Sequence, residues 1–314
     1  MESRDVAFVL FPQFSMIALY GALEPLRIAN RFAGSKLFTW RFASTNGEPV
    51  AASNEIPVSV ATSVARLGTP DLAMFCASYE HERALTPPVI AEVRRLARRK
   101  VLLGGMDTGP FVLAEAGVLD GRRATCHWES LPGFRERYPA VRAFQSLFEN
   151  DAGRLTSAGG ASAIDMMLDW IGRLHGSPLA VKVADQLVHF RRQGTHPEDG
   201  RLPAAMRYGI SDPRLLRIIA LMEGNLEEPL DMSALAAAAG LSARHVERLF
   251  QESLGERPIG FYGKLRLERA QHLLNYSRLS VRDTSLAVGY SSLAQFSRAF
   301  KARYGIPPSK VLES

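Results

Sequence analysis

The sequence has little cysteine and no long apolar run, and both shortages exclude classes of protein. Its 314 residues contain two cysteines, Cys76 and Cys126, too few for a disulfide framework, so we expect a reducing compartment. No apolar stretch reaches the about 18 residues that a membrane-spanning helix needs. The amino-terminal MESRDVAFVLFPQF indicates a first buried strand, not a signal peptide. We therefore expect a cytoplasmic protein that does not bind membranes.

Net charge is also lacking over most of the chain. The formal net charge is +6, and residues 261–314 contain nine Lys or Arg against three Asp or Glu, a surplus equal to that of the whole chain. The first 260 residues are therefore neutral overall. A basic surplus confined to one end favours an anionic partner that binds there.

The first 190 residues alternate predicted strands with predicted helices. Strands are predicted at 6–11, 37–44, 71–76, 101–103 and 155–158, and helices at 16–32, 88–99 and 161–174. This alternation favours a mostly parallel, doubly wound α/β sheet with helices on both faces. Residues 191–208, with Gly, Pro and charges of both signs, are predicted as a linker. Because only helical patterns follow, the domains are predicted at 1–190 and 209–314, the second being all-α.

The carboxyl-terminal domain contains an internal repeat. Four residues of the segment 236–258 have an identical residue 50 positions later in the chain. Gly240 and Gly289, however, are only 49 positions apart. The turn of the second copy therefore has one extra residue after its glycine. The recurring pairs are Arg248 and Arg298, Phe250 and Phe300, Gly255 and Gly305, and Pro258 and Pro308. Each unit is a short helix, a glycine-containing turn and a second helix, which is the helix-turn-helix pattern.

Each unit supplies one predicted recognition helix, at 243–254 and from Ser292 to Tyr304. Their apolar faces would be Val246, Leu249 and Phe250, and Phe296, Ala299 and Phe300. Polar side chains outside those faces are expected to contact the bases or phosphates of double-stranded DNA. They are Arg244, His245, Arg248, Ser291, Ser292, Gln295, Arg298 and Lys301. A helical protein-interaction domain with solvated arginines is the alternative, and two units in register with a basic surplus argue against it.

The segment VLLGGMDTGPFVLAEAG, residues 101–117, has the layout of a strand, a sharp turn and a helix. Many α/β enzymes hold a Ser or Cys nucleophile on such an elbow, but here the residue is Asp107. Cys126 precedes His127 in RRATCHWES, which has no glycine-rich turn before a helix. A cysteine hydrolase or amidase tethered to DNA is therefore the weaker alternative, and no catalytic residue, cofactor or metal ion is predicted.

Two roles for Asp107 remain open. It can cap the backbone N–H groups of the following helix, or present its negative charge to a cationic ligand at the carboxyl ends of the strands. In the second case Thr108 belongs to the same site, and the turn at Gly159 and Gly160 can hold a carboxylate through backbone N–H groups. Together these groups suit a zwitterion.

Three further residues are candidates for the ligand site. Glu24 is otherwise a surface helical residue, and His127 is otherwise a hydrogen-bonded structural histidine. Trp128 is interpreted first as a core residue and second as an aromatic face for a quaternary ammonium group.

Residues 210–314 resemble the AraC-type DNA-binding domain, in which two helix-turn-helix units are joined by a long helix, here about 259–276. ARHVERLFQESLGERPIGFYGKLRLERAQHLL and VGYSSLAQFSRAFKARYGIPPSKV carry the resemblance. One departure is Thr284-Ser285, where the family usually has an apolar residue and Ala, which would loosen local packing. The resemblance implies a regulator that binds promoter or operator DNA, with RNA polymerase and a second copy of the chain as further candidate partners.

Residues 5–190 resemble the class I glutamine amidotransferase-like superfamily, which implies a flavodoxin-like fold. EPLRIAN, GGMDTGPFVLAEAGVLDGRRATCHWE and TSAGGASAIDMMLDWI carry this; relatives with activity have Cys at the elbow and a His facing it, the position of His127. The domain order resembles the GlxA subgroup of AraC-type transcriptional regulators. That resemblance implies a sensor for amino acids or small amines of the arginine, glycine betaine or carnitine type. An architectural DNA-binding protein without a ligand is a third alternative.

Overall fold

The computed structural model describes residues 3–189, 204–277 and 279–312. The chain forms two compact units, residues 1–201 and 202–314. Most of the predicted linker lies outside the described residues, but its last five residues form a helix, Ala204–Tyr208. Tyr208 packs edge-on against Phe261 at a ring-centroid distance of 5.2 Å. The second unit therefore begins inside the segment predicted as linker, because Tyr208 contributes a ring to its core.

The first unit is built, among the described residues, from short strands, six α-helices and two single turns of 3-10 helix, Val64–Arg66 and His81–Ala84. Its strands are β1 Arg4–Leu10, β2 Phe38–Ser44, β3 Val50–Ala51, β4 Pro57–Val58, β5 Thr62–Ser63, β6 Leu72–Ala77, β7 Leu102–Asp107, β8 Arg123–Ala124, β9 Arg142–Ala143, β10 Phe148–Asp151 and β11 Arg154–Ser157. Its helices are α1 Met16–Ala33, α2 Pro87–Arg98, α3 Gly109–Glu115, α4 Leu131–Arg137, α5 Ser162–His175 and α6 Ser177–Gln186.

Seven of these strands form one sheet in the order β10-β11-β7-β6-β1-β2-β5. Neighbours are parallel except β10 and β11. From β1 the chain first adds β2 on one side and later β6, β7 and β11 on the other, which is the flavodoxin-like order. The predicted doubly wound α/β fold is confirmed, and the antiparallel edge strand β10 is an addition that the sequence analysis missed.

Burial on both faces explains why β1 is a continuous apolar run. Val6, Phe8 and Leu10 belong to a core shared with α1, α5 and α6. Ala7 and Val9 point to the opposite face, because strand side chains alternate, and they are fully buried as well. Because both faces of this strand are buried, every position along it favours an apolar side chain.

The second unit consists of helices throughout its described residues. They are α7 Ala204–Tyr208, α8 Pro213–Gly224, α9 Met232–Ala238, α10 Ala243–Leu254, α11 Pro258–Tyr276, α12 Val281–Ala287, α13 Leu293–Tyr304 and α14 Pro308–Leu312. The repeat is visible in the bounds: α9 and α12 have seven residues each, and α10 and α13 have twelve each. Their starts are offset by 49 and 50 residues, which confirms the extra residue in the second turn.

The long helix α11 holds both helix-turn-helix units. Its Phe261 ring packs edge-on against Phe250 of the first helix-turn-helix unit at a centroid distance of 5.5 Å, and its Tyr262 hydroxyl donates to the Asn225 carbonyl oxygen at the end of α8. One turn later, Arg266 donates to the carbonyl oxygens of Val288 and Gly289 in the second turn, at 2.7 and 2.6 Å. The Arg266 guanidinium also lies 4.1 Å from the centroid of the Tyr290 ring. Both helix-turn-helix units are thereby held by the same helix, α11.

No helix in the described part of the chain has the length and apolarity needed to cross a membrane.

Candidate ligand site and DNA-binding surface

The elbow is a sharp turn between β7 and α3, and glycines make it sterically feasible. Strand β7 continues through Gly104 and Gly105 to Asp107, so it is longer than the predicted 101–103. A Cβ atom on Gly109 would lie 2.1 Å from the Phe75 carbonyl oxygen, and one on Gly105 would lie 2.7 Å from the Pro110 nitrogen. Only hydrogen at these positions lets α3 fold back against β6 and β7.

Asp107 occupies the position of the elbow nucleophile in a left-handed conformation, with φ of 62°. Aspartate tolerates this region better than most residues. Helix α3 begins at Gly109 and is preceded by Thr108, whose side chain makes no capping hydrogen bond. Asp107 therefore does not act as the N-cap, and the Thr108 hydroxyl instead donates to the Ser78 carbonyl oxygen at 2.7 Å.

Asp107 is only 8% exposed. Burial raises its pKa to about 6, opposed by the positive charge of His127 and a hydrogen bond with Ser78, and assisted by the negative charge of Glu129. A buried carboxylate favours any cation that can replace the lost water. At neutral pH the group is mainly ionised, and burial leaves its charge poorly solvated.

His127 lies directly against the elbow. Its backbone N–H donates to the Asp107 carbonyl oxygen at 3.0 Å, and its Nδ1 atom lies 3.9 Å from a Glu129 carboxylate oxygen. The Trp128 ring is tilted against the His127 ring at a centroid distance of 5.7 Å. Trp128 is half-buried, so it is not the core residue of the first interpretation. The structure thus groups Asp107, His127 and Trp128 on one side of the sheet's carboxyl edge.

The Gly159-Gly160 turn faces the same carboxyl group. A Cβ atom on Gly159 would lie 2.8 Å from the Asp107 Cβ atom, and both glycines are left-handed, with φ of 83° and 55°. Helix α5 begins two residues later, at Ser162. Among the described residues, no acceptor bonds the backbone N–H groups of Gly160 and Ala161. This turn therefore presents free donors beside a carboxylate.

Glu24 is already engaged by a neighbour. Both of its carboxylate oxygens accept from Arg27, one helical turn away, at 2.7 to 3.0 Å. The same helix approaches the glycine turn through Gly21, where a Cβ atom would lie 3.5 Å from the Gly160 carbonyl oxygen. Glu24 lies one turn further along this helix than Gly21, and its charge is paired with Arg27.

The two cysteines are unsuited to nucleophilic chemistry. Cys126 is buried, and burial together with the negative charge of Asp107 raises the pKa of its thiol well above the ordinary value. Burial alone raises the pKa of the Cys76 thiol. Because the thiolate is the nucleophile, neither side chain offers one at neutral pH.

Two residues of the site were missed from the sequence. Ser78 follows β6, the neighbour of β7, and contacts both Asp107 and Thr108. The rule that the carboxyl ends of adjacent parallel strands meet at one edge would have found it. Glu129 lies two residues after His127, and its distance from the histidine ring depends on the backbone path after β8, which no periodicity reveals.

The predicted recognition helix of the first helix-turn-helix unit has one buried apolar face and one exposed polar face, as expected. Val246, Leu249 and Phe250 are buried; Arg244 and Arg248 are exposed and His245 is partly exposed. Arg248 lies 3.3 Å from the His245 ring nitrogen and 3.8 Å from a Glu252 oxygen, contacts that an exposed arginine can exchange for a phosphate or a base. The helix is capped by Ser242 at its start and by left-handed Gly255 at its end.

The second recognition helix repeats this arrangement. Phe296 and Phe300 are buried. The predicted contact residues all lie on the surface: Ser291, Ser292, Gln295, Arg298 and Lys301. Ser292 is the N-cap, and its hydroxyl oxygen accepts the Gln295 backbone N–H at 3.4 Å, so part of its hydrogen-bonding capacity serves the helix.

The polar pair Thr284-Ser285 lies inside the second support helix α12. Both residues are buried, at 0% and 2% exposure. Ser285 donates to the Arg282 carbonyl oxygen at 2.7 Å, whereas the Thr284 hydroxyl has no hydrogen-bond partner in the described residues. The helix forms despite this departure, at the cost of one unsatisfied buried hydroxyl.

Comparison with known proteins agrees with both units. Residues 4–172 match the DJ-1/PfpI family, and residues 235–314 match a helix-turn-helix domain. A crystal structure of an AraC family transcriptional regulator from Pseudomonas putida is 29% identical, with a TM-score of 0.55 over 59% of this chain and 99% of that chain. Drosophila melanogaster DJ-1beta shares the fold, with a TM-score of 0.52 and 21% identity over 60% of this chain and all of that one.

Full-length relatives are transcriptional regulators. The HTH-type transcriptional regulator CdhR of Pseudomonas aeruginosa is 44% identical over 98% of this chain and 91% of the relative. The HTH-type transcriptional regulator GlxA of Rhizobium meliloti is 36% identical over 99% and 97%. Similarity of this extent covers both units and their order. The chain therefore belongs to the AraC-type DNA-binding transcriptional regulators that have an amino-terminal DJ-1/PfpI, amidotransferase-like domain.

Proposed function

We propose that this regulator senses a small zwitterionic or quaternary amine at the elbow and that Asp107 is the charge partner of the ligand's cationic group. The observation that carries the proposal is a buried carboxylate at the nucleophile position, opposite the free backbone donors of the Gly159-Gly160 turn. A buried charge without a compensating ion is costly. A ligand cation supplies that compensation, and a ligand carboxylate suits the amino terminus of α5.

Trp128 and His127 complete the proposed site. A half-buried tryptophan next to His127 supports a methylated ammonium group as the ligand's cation, because such a cation binds the face of an aromatic ring. The His127 ring lies 5.7 Å from the Trp128 ring, and its positive charge acts on the Asp107 carboxylate. Thr108 contributes by holding the Ser78 carbonyl oxygen, and Glu24 lies further out, paired with Arg27.

The experiment is a thermal-shift screen of amino acids and methylated amines against wild type and Asp107→Asn. A ligand that binds only the folded state raises the melting temperature of the wild-type protein. We expect a shift with at least one cationic compound and little or none in the variant. Equal shifts in both proteins would move the site away from Asp107.

We further propose that the protein has no hydrolase activity. The elbow has no cysteine, and the Cys126 thiol is buried next to a negative charge, which disfavours its thiolate. Purified protein should hydrolyse amides and peptides no faster than background. Turnover that disappears in Cys126→Ala would contradict this.

For DNA, we propose that α10 and α13 enter successive segments of the major groove, so that the operator contains two short elements roughly 34 Å apart. Gln295 is proposed as a base reader, and Gln295→Ala should cost on the order of 1–3 kcal/mol at one base pair. A footprint with one short element, or an unchanged sequence preference in Gln295→Ala, would refute this arrangement. RNA polymerase and a second copy of the chain are proposed as further partners, with the cytoplasm as the location.

A further inference from the structure

The two recognition helices differ most at their first turns. With the 50-residue offset, Leu293 of α13 corresponds to Ala243 of α10, and Ala294 corresponds to Arg244. The first turn of α10 thus contains an arginine, whereas that of α13 is uncharged and begins with a leucine. Both turns follow a serine N-cap, so the difference lies in the side chains and not in the backbone.

Leu293 is exposed without a structural reason in the described residues. Its exposure is 42%, and it is not among the apolar residues that pack against the core of the second helix-turn-helix unit. The corresponding Ala243 shows that this position of the fold accepts alanine. Leu293 is therefore an apolar side chain that the fold does not require, on the surface proposed to bind DNA.

The position of Leu293 determines what it can contact. The amino-terminal residues of a recognition helix contact base edges in the major groove. Leu293 is the first residue of α13 and lies two residues before Gln295. The only apolar group that a base pair presents in the major groove is the C5-methyl group of thymine.

We propose that Leu293 reads thymine through its C5-methyl group. The element bound by α13 then contains A·T pairs, with thymine at Leu293 and adenine at Gln295, since glutamine pairs bidentately with adenine. The element bound by α10 contains guanine instead, because Arg244 and Arg248 are its exposed donors and arginine pairs bidentately with guanine. This inference rests on the proposed placement of both helices in the groove.

The experiment uses the full chain and duplexes that it selects from a randomised library. Each thymine in the selected elements is replaced singly by deoxyuridine, which removes only the methyl group. At one position of the α13 element, wild type should lose about fourfold in affinity, the equivalent of about 0.8 kcal/mol for one buried methyl or methylene group. Leu293→Ala should lose most of this difference between the thymine and deoxyuridine duplexes, because the alanine methyl group makes a smaller apolar contact.

Leu286→Ala is the matched control, because Leu286 is a leucine of similar exposure, 51%, on the support helix α12. It should keep the methyl dependence of wild type. Circular dichroism checks that both variants fold, which we expect because Ala243 occupies the position equivalent to Leu293.

The outcomes separate this inference from the broader proposal. If two elements are protected but no deoxyuridine position weakens binding, or if Leu293→Ala keeps the methyl dependence, Leu293 is not a thymine reader and the placement of the helices stands. An α13 element without A·T pairs would also overturn the inference. If only one element is protected, the placement of the helices fails and the inference fails with it.

Discussion

The elbow and the recognition helices both present charged side chains, but they do so in opposite environments. Asp107 is 8% exposed, is held in a left-handed conformation, and has a pKa raised by burial to about 6. Arg244 and Arg298 lie in solvent on regular helices. The difference teaches where function is coupled to stability: a change at the elbow should alter folding, whereas a change on the DNA-binding surface should alter binding alone.

The largest effect is expected at Gly109. A Cβ atom in Gly109→Ala would meet the Phe75 carbonyl oxygen at 2.1 Å, so α3 or β6 must move, at a cost of about 3 kcal/mol or more. The amino-terminal unit, residues 1–201, contains all three tryptophans of the chain, Trp40, Trp128 and Trp170. Tryptophan fluorescence during urea unfolding therefore reports on that unit.

Gly121→Ala is the control for Gly109→Ala. Gly121 is left-handed, with φ of 70°, but nothing lies within 4 Å of an added Cβ atom. Only the backbone penalty of about 1–2 kcal/mol should remain. Equal losses in the two variants would show that the elbow is not sterically constrained.

The next effect concerns the charge of Asp107. Its pKa in the folded protein, about 6, is above the ordinary 3.8, so ionisation opposes folding above pH 3.8, and the cost is complete above about pH 6. Asp107→Asn should therefore stabilise the ligand-free protein by about 1–3 kcal/mol at pH 8. Urea unfolding across pH 4 to 8 measures this, and a gain that persists at pH 4 would assign it to something other than charge.

In the second unit, Arg266 tests a charged group that is coupled to structure. Arg266→Ala removes the donors to the Val288 and Gly289 carbonyl oxygens, at a cost of about 1.5–3 kcal/mol. The α13 element should lose footprint protection more than the α10 element, because α11 no longer holds the second turn. Arg282→Ala, at an exposed arginine of α12, is the control and should leave both elements protected.

The smallest effect on stability is expected at Arg298. Arg298→Ala should change the free energy of unfolding by no more than about 0.5 kcal/mol. If Arg298 contacts a phosphate, the variant should bind all sequences more weakly and reduce the salt slope by about one. A clear loss of stability, measured by circular dichroism during urea unfolding, would contradict the view that the DNA-binding surface, unlike the elbow, contributes little to folding.

Local signals in the sequence were sufficient for most of the second unit. Helix α10 has the predicted bounds, Ala243–Leu254, because Ser242 and Gly255 mark its ends chemically. The repeat then located α13 in the same way. The structural role of Arg266 could not be predicted from its neighbours in the sequence. Its hydrogen-bond partners lie 22 and 23 residues away, and these contacts depend on how the helices pack.

The elbow shows more clearly which features of a site cannot be predicted from local sequence. Asp107 and the Gly159-Gly160 turn were predicted as parts of one site, and the structure brings them into contact. The burial and left-handed backbone of Asp107 could not be predicted, because both follow from the fit of α3 against β6 and β7. Ser78 and Glu129 were missed for the same reason: their roles arise from contacts between separate segments.

The central claim is that the elbow carboxylate binds the charge of the ligand. Calorimetric titration at pH 8 of an amine found by thermal shift, into wild type and Asp107→Asn, tests it most directly. The variant keeps the shape of the side chain and removes its charge, so we predict a loss of about 1.5–3 kcal/mol in binding free energy, tenfold or more in Kd. Equal affinities of the two proteins would contradict the claim.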